Sequence, residues 1–452
     1  MSPDRFPQLL DSRRATFWQF GILAIVMTAL VVDGLDIQLL ALVSPLILEE
    51  WGIDKSSFGP ALSAALIGMA FGASIGGGLG DRFGRKLILI TSMFAFGIAT
   101  ALASLTENVT QMAILRLISG FGFGAAAPNG IALASEWLPT RHRSLASAAL
   151  SVGTPLGGML GATTVLTLVP SYGWQGSFVA CGAITLILAV IMVVSLPESP
   201  SFLISRGKAD RAANLFKRIV STEGDFEQER QAASAKNAHS VADGMGLFAR
   251  ENRRVNLGAW LAFFSIQFVA YTFAAWTPVL LTMAKFELGD AVRATVAFNF
   301  CAVGAALTGA VLINRLGSRR LMLMTSGGTL IGVLLMGWSV VGHINDPGNP
   351  SYFLFVLIGS GVVGGLTGAC IAAIYALLAF AYPVSCRASG VGFGLMMGRA
   401  GGIATTLIGG ALLEADRGSA KPFFAVLMLV SIAALIGALI IDRHIPATSR
   451  SR

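Results

Sequence analysis

Charged residues are scarce in this chain. Asp, Glu, Lys and Arg make up 12% of its 452 residues, about half the share that soluble domains carry. Hydrophobic residues make up 54%, and the mean hydropathy is +0.73. This composition excludes an ordinary soluble domain and indicates a chain that crosses a membrane many times. The alternating segments of a membrane β-barrel, each about ten residues long, are also missing, so the crossings are predicted to be helices.

Cysteine and histidine are equally sparse, with four of each. The cysteines have no paired spacing, which argues against both a zinc motif and a disulfide framework. The histidines are scattered through loops and the tail, so no metal site, catalytic triad or other enzyme centre is predicted, and no cofactor is expected. The cysteines are Cys181, Cys301, Cys370 and Cys386, and the histidines are His142, His239, His343 and His444.

Long apolar runs are what the chain has in abundance. A helix needs about 20 apolar residues to cross a bilayer, and twelve such runs occur. The first run is too long for a signal-peptide core and lacks a clear cleavage site, so we expect it to be retained as a span. The spans are predicted at 17–46, 58–80, 87–106, 109–135, 144–168, 174–196, 256–283, 293–313, 320–342, 352–380, 387–412 and 421–441.

The basic residues are distributed unevenly between the two sides of the membrane. A net charge of +8 would suit a nucleic-acid partner, but most Lys and Arg residues lie in alternate loops, as the positive-inside rule requires. Both termini are therefore predicted to be cytoplasmic, and no nucleic-acid partner is expected. The basic residues on the other side are Lys55, Lys285, Arg293, Arg417 and Lys421.

One long polar segment, 197–255, separates spans six and seven. It is predicted to be a cytoplasmic linker, too short for a folded domain with a sizeable core. The predicted organisation is a cytoplasmic N-terminal segment, a six-helix bundle, this linker, a second six-helix bundle and a cytoplasmic tail. Their bounds are 1–16, 17–196, 197–255, 256–441 and 442–452.

The two bundles repeat a loop motif. G-G-L-G-D-R-F-G-R-K follows span two at 77–86, and A-V-L-I-N-R-L-G-S-R-R follows span eight at 310–320. Two related halves predict a substrate site at the bilayer midplane between them, with alternating access by rocking of one half on the other. In the alignment Asp81 matches Asn314, Arg82 matches Arg315 and Gly84 matches Gly317.

Two acids, Asp33 and Asp36, are the only charged residues between Phe17 and Ile47. A charge at membrane depth costs roughly 2.5–3.5 kcal/mol or more, and a spacing of three places both acids on one helix face. They either cap a helix or face a water-filled vestibule, or else one carries a proton while the pair holds a buried arginine. Arg116 in span four is the predicted partner, unless it extends to the outer interface. These three are the predicted proton-coupling residues.

The motif G-x-x-x-D-R-x-G-R-K resembles the signature of the major facilitator superfamily, and the twelve spans, the linker and the repeated loop extend the resemblance over the chain. D-G-L-D in span one, L-R-L-I-S-G-F-G-F-G in span four and Y-P-V-S-C-R-A-S-G-V-G-F-G before and in span eleven are similar to its aromatic acid:proton symporter family. The implied fold is an all-α polytopic membrane protein with twelve transmembrane helices in two pseudo-symmetric six-helix bundles.

The function that this resemblance implies is a proton-coupled secondary transporter. It would import an aromatic carboxylate, such as a hydroxybenzoate, across the bacterial inner membrane. The expected partners are this small carboxylate, protons and the lipid bilayer, and the protein is expected to be a monomer.

Arg399 lies near the middle of span eleven with no acid close in sequence. A guanidinium binds a carboxylate through two hydrogen bonds, so Arg399 is the predicted substrate anchor. The alternative is an ion pair with the acids of span one. Spans seven and ten are expected to line the cavity, where aromatic rings would stack on the ligand. Further predicted substrate contacts are Gln38, Asn129, Gln267, Trp276 and Tyr375.

The repeated loop is predicted to be a gate. Asp81 is placed to contact a helix N-terminus or a neighbouring arginine and so to close the cytoplasmic side. The alternative is that these charges only obey the positive-inside rule. Asn314 replaces the acid in the second copy, so the second gate should be weaker. The predicted gate residues are Gly77, Asp81, Arg82, Gly84, Arg85, Glu136, Asn314, Arg315 and Arg387.

Other transport functions are the alternatives. Pro197-Glu198-Ser199-Pro200 resembles sugar porters, and the segment 153–158 resembles the span-five motif of antiporters. The chain could therefore be a sugar or organic-anion porter, or a proton-coupled drug or metabolite exporter. A sugar needs no buried cation, so Arg399 argues against a sugar porter. The sequence leaves open the particular acid, the proton stoichiometry and the direction of transport.

Overall fold

A computed structural model describes residues 15–220, 247–346, 349, 351–382, 387–415 and 419–447. Eleven helices in this part are long and apolar enough to cross a membrane. One of them, Thr140–Ser195, has 56 residues and is broken at Gly173, where φ is 65° and ψ is −177°. At 1.5 Å per residue this helix is more than twice as long as a bilayer core is thick, so it provides two crossings. The predicted all-α, twelve-span fold is confirmed.

The observed helices lie close to the predicted spans. The first half contains span 1 (Phe17–Trp51), span 2 (Lys55–Phe83), span 3 (Arg85–Leu102), span 4 (Val109–Trp137) and the broken helix Thr140–Ser195 that forms spans 5 and 6. Short helices at Pro200–Ser205 and Ala209–Val220 follow. The second half contains span 7 (Arg253–Met283), span 8 (Leu288–Leu316), span 9 (Ser318–Asn345), span 10 (Ser351–Ala381), span 11 (Arg387–Glu414) and span 12 (Lys421–Ile440).

Polar caps and glycines set the helix ends. The Gln19 side chain accepts a hydrogen bond of 2.7 Å from the Thr16 N–H, which is half of a capping box at the start of span 1. Gly84 separates spans 2 and 3 with φ 112°, and Gly317 separates spans 8 and 9 with φ 75°. L-residues rarely adopt such φ values. The two glycines that the repeat aligns therefore make equivalent turns.

Glycines also allow close helix contacts. A Cβ on Gly72 of span 2 would overlap the backbone of Phe121 in span 4, and one on Gly157 of span 5 would overlap the backbone of Val31 in span 1. Substitution by any larger residue would push these helices apart. Such seams of small residues are how helices associate in lipid.

The two sides of the bundle are packed differently. We call the side that holds Phe17, Phe83 and Ile440 the tail side, and the side that holds Trp51 and Met283 the opposite side. A single hydrophobic core on the opposite side contains residues from both halves. On the tail side each half has its own core, one in the first half and one in the second. The halves are therefore joined at the opposite side, and their tail-side cores are separate.

Candidate functional site

Asp36 and Arg116 form a buried ion pair between spans 1 and 4. The guanidinium donates to both carboxylate oxygens, at 2.9 and 2.6 Å, and to the Asp36 backbone carbonyl at 3.2 Å. Thr100 of span 3 donates a further hydrogen bond of 3.1 Å to the same carboxylate. Arg116 is 1% exposed, so it does not extend to the interface. A bidentate ion pair with these additional hydrogen bonds offsets the desolvation cost of burying the two charges.

Asp33 lies one turn away and differs from Asp36 in its partners. It is 3% exposed, yet its carboxylate makes no hydrogen bond or ion pair to the part of the chain that the structure describes. The charges of Asp36, Arg399 and Arg116 all act on it. The sequence predicted Asp33 and Asp36 as a pair around Arg116, and the structure brings only Asp36 into contact.

Arg399 occupies the middle of span 11, in the other half. Its guanidinium donates a hydrogen bond of 2.8 Å to the backbone carbonyl of Met69 in span 2. A guanidinium has five N–H donors, and no carboxylate among the described residues lies within ion-pair distance of it. The alternative that Arg399 forms an ion pair with an acid of span one is therefore not what the structure shows.

A cavity of about 370 Å³ lies between the halves, on the tail-side edge of the shared core. Ligand pockets in proteins occupy about 300–1,000 Å³, so this cavity matches a small molecule. It carries polar groups and two phenol rings, and Arg399 is close enough for its charge to act on both phenols. The polar and aromatic lining residues are Gln38, Thr154, Gln267, Tyr271, Phe298, Asn299, Thr367 and Tyr375.

Three predicted substrate residues, Arg399, Asn129 and Trp276, are not among the residues that line this cavity. The amide of Asn129 donates to the carbonyls of Gly76 and Ala125, both at 2.8 Å, and so joins spans 2 and 4. The Trp276 ring is fully buried, and its indole N–H donates 3.1 Å to the Thr405 carbonyl of span 11. Both side chains use their polar groups for helix packing. Gln38, Gln267 and Tyr375, in contrast, do line the cavity.

Hydrogen bonds join the halves from the cavity to the opposite side. Gln38 of span 1 donates 2.9 Å to the Ala274 carbonyl of span 7 and accepts 3.5 Å from Asn299 of span 8. Near the end of the bundle, the Glu414 carboxylate of span 11 accepts 3.0 Å from the Ser56 N–H of span 2. These contacts must break if the halves are to separate on this side.

The variant Gln38→Ala is expected to open the opposite side more often. It removes the bond to Ala274, and one neutral hydrogen bond contributes about 0.5–1.5 kcal/mol, so the ratio of open to closed molecules should rise about 2- to 12-fold. Spin labels on Glu107→Cys and Glu287→Cys, both exposed on this side, would report the distance between the halves. An unchanged distance distribution in a background without native cysteines would contradict this role.

The first copy of the loop motif is joined to the end of span 4 and to the linker. Arg85 pairs with Glu136 and, at 3.3 Å, with Asp81. Ser199 donates 2.5 Å to the other oxygen of Glu136, and the Arg206 guanidinium donates to the backbone carbonyl of Arg82. Asp81 is 71% exposed and, among the described side chains, pairs only with Arg85 of its own half. The motif residues therefore link spans 2, 3 and 4 within one half, and Gly77 has open space around it.

The second copy is held by the segment after span 12. Ile445 N–H donates 2.9 Å to the Ser318 hydroxyl, and Ser318 N–H donates 3.0 Å to the Ile445 carbonyl. Burial, together with the nearby charge of Arg319, lowers the pKa of His444 beside them. Arg315 is exposed. The side chains of Asn314 and Arg387, two predicted gate residues, lie outside the described part, so their predicted roles stay predictions.

Several contacts were not predicted from the sequence. Thr100, Asn299 and Ser199 bond to predicted residues, and the Phe178 ring lies 5.7 Å from the Arg116 guanidinium carbon. Asn299 had a signal in the sequence, because an amide inside the apolar span 8 needs a polar partner. Thr100 and Phe178 had none, since threonine and phenylalanine are ordinary in membrane helices.

The fold and the cavity define the class of this protein. Two six-helix halves enclose a cavity, and a shared core closes one side of it, which is the architecture of a secondary transporter. A family model described as Major Facilitator Superfamily matches residues 26–359. The chain belongs to this superfamily, whose members are transporters and not enzymes, and it is a multi-pass membrane protein.

Named relatives agree with this assignment. A gallate transporter of Pseudomonas putida is 30% identical over 432 residues, which cover 95% of this chain and 93% of that protein. A 4-hydroxybenzoate transporter of Pseudomonas aeruginosa is 32% identical and covers 88% of this chain and 86% of its own length. The xylose transporter XylE of E. coli, in an inward-open structure, has a TM-score of 0.71 at 18% identity and covers 96% and 98% of the two chains. The predicted resemblance to aromatic acid transporters is confirmed at the level of relatives.

Proposed function

We propose that this transporter carries a small aromatic carboxylate, with its charge held by Arg399 and its ring beside Tyr271 and Tyr375. The observation that supports this most is the contrast between the two arginines. Arg116 donates to both carboxylate oxygens of Asp36, whereas Arg399 has one described bond, to a neutral carbonyl. Arg399 therefore keeps donors for an anion, and the phenols beside the cavity provide faces on which a ring can stack. The relatives named above carry gallate and 4-hydroxybenzoate.

We further propose that Asp33 carries the coupled proton. Asp33, Asp36, Arg116 and Arg399 sum to zero charge, and Asp36 with Arg116 forms a closed pair. Asp33 is then the acid that balances Arg399. When a carboxylate binds Arg399, the site has one negative charge too many, and a proton on Asp33 restores neutrality. Buried net charge is costly, so substrate and proton favour each other.

The transport cycle follows from the packing of the two halves. We take the tail side as cytoplasmic, because the basic loops lie there, and the membrane as the bacterial inner membrane. The shared core then closes the periplasmic side, and the arrangement is inward-facing. The acid and proton would enter from the periplasm after the bonds of Gln38 and Glu414 break. The ionic links around Arg85 would hold the first half rigid as it rocks.

The test is uptake by proteoliposomes that contain the purified protein. With a proton gradient imposed, labelled 4-hydroxybenzoate, gallate or benzoate should accumulate, and xylose should not.

Arg399→Ala should weaken binding of the accepted acid roughly 10- to 150-fold, because hydrogen bonds to charged groups contribute about 1.5–3 kcal/mol. Binding is measured by the thermal shift that the acid produces.

The matched control is Arg320→Ala, an exposed arginine at the tail-side end of span 9. It should bind the acid like the parent protein. If no acid of the panel stabilises the parent, the proposed substrate class is wrong. If the acid binds Arg399→Ala as tightly as the parent, Arg399 is not the anchor.

A further inference from the structure

A second cavity, larger than the central one, opens at the tail-side edge of the first half. Its volume is about 630 Å³, and it lies between the ends of spans 1, 3 and 6 and the two short linker helices. The cavity is separate from the transport site, and nothing in the proposed transport cycle uses it. Its position, at the ends of apolar helices, is the level of the lipid headgroups.

One wall of this cavity is apolar and exposed. Trp18, Phe83 and Leu87 are each exposed by half or more, and Val194 is 83% exposed. Aromatic side chains at helix ends typically sit at the headgroup level. This wall therefore faces the bilayer, where acyl chains can cover it.

The other wall is cationic. Lys86, Lys208 and Arg211 line it, against a single acid, Glu198. One oxygen of Glu198 accepts from the backbone N–H groups of Lys86 at 3.0 Å and Ser199 at 2.8 Å. Lys208 and Arg211 are exposed and have no ion-pair partner among the described residues, and the charges of Arg211 and Lys86 act on each other. The Lys86 ammonium also donates 2.8 Å to the Val193 carbonyl, and the Glu198 charge acts on it. Three cations against one acid leave the wall with a net positive charge, which an anion would balance.

The short helix Ala209–Val220 holds this wall in place. Its Ala212 and Phe216 are buried in the tail-side core of the first half, at 1% and 0% exposure. Arg211 therefore lies in a docked helix, and Lys208 directly precedes it. The packing of this helix fixes the backbone at both cations, and their exposed side chains can still contact a ligand in the cavity.

We propose that this cavity binds the phosphate headgroup of an anionic phospholipid, with its acyl chains along the Trp18 and Leu87 wall. Basic pockets between membrane helices bind such headgroups. A free phosphate would satisfy the cations but would leave the apolar wall uncovered. The lipid satisfies both walls, and it would fix the linker helix against the first half.

The experiment titrates the intact purified protein with phosphatidylglycerol and counts bound lipid by native mass spectrometry. Lys208→Gln/Arg211→Gln should bind it roughly 30-fold more weakly, and Arg211→Gln alone about fivefold more weakly. The control Arg254→Gln/Arg320→Gln removes two exposed tail-side cations of the second half and should bind like the parent. Phosphatidylcholine should bind parent and variants alike.

Three results would overturn the proposal. The first is unchanged phosphatidylglycerol binding in Lys208→Gln/Arg211→Gln. The second is an equal loss in the control variant, which would mean a diffuse charge effect. The third is displacement of phosphatidylglycerol by inorganic phosphate at low millimolar concentration, which would assign the cavity to a soluble anion. Melting temperatures in phosphatidylcholine nanodiscs should be the same for all variants, because every substituted side chain is exposed.

Discussion

Arg116→Ala is expected to abolish transport and to lower the free energy of unfolding by about 3–5 kcal/mol, since it leaves the buried carboxylate of Asp36 without a counter-charge. The cost is large because Asp36 is 2% exposed and cannot recruit water. Thr100 alone would remain to donate to it. The measurement is the melting temperature in detergent together with uptake by proteoliposomes.

A double variant and a surface variant test the cause. Asp36→Asn/Arg116→Gln removes both charges and should recover much of the lost stability without recovering transport. Arg320→Ala, an exposed arginine, should melt like the parent. An Arg116→Ala protein that melts at the parent temperature would show that the pair does not stabilise the fold.

Asp33→Asn is expected to abolish accumulation of the acid against its gradient while leaving exchange of acid across the membrane intact. A neutral amide mimics the protonated state, so the carrier can still bind and reorient but cannot release the proton. Because Asp33 makes no hydrogen bond or ion pair within the described residues, the variant should also keep the parent's stability. Uphill uptake and counterflow exchange are compared in the same proteoliposomes.

Asp36→Asn is the matched control, one turn along the same helix. It breaks the pair with Arg116, so it should lose both stability and exchange. Asp33→Asn protein that still accumulates the acid with a proton gradient would rule out Asp33 as the proton carrier. If instead Asp36→Asn melted at the parent temperature and lost only proton-coupled accumulation, Asp36 would be the proton carrier.

The two acids show where sequence reasoning stops. Their depth and their spacing of three were enough to predict that they share a helix face and face a buried arginine. The sequence did not distinguish Asp33 from Asp36, because one helix turn separates them and both lie on the same helix face. The choice depends on the rotation of span 1 against span 4, which close packing of Gly157 on Val31 helps to set.

The predicted cavity residues show the same limit. Gln38, Gln267, Asn129 and Trp276 are all polar or aromatic groups inside apolar spans. Which of them line the cavity depends on how the helices pack around it. Asn129 finds Gly76 at 2.8 Å and Trp276 finds Thr405 at 3.1 Å, so both are used in packing.

The sequence by itself determined the twelve crossings, with bounds within about five residues, the two related halves and the alignment of Gly84 with Gly317. These follow from local rules, since lipid forces each apolar run to satisfy its own backbone and a positive φ selects glycine. The tertiary structure alone decided that Asp36 holds Arg116, that Arg399 makes a single hydrogen bond within the described residues, and that the halves join on the opposite side. Those facts depend on distances between helices far apart in the chain, which packing sets and no single segment encodes.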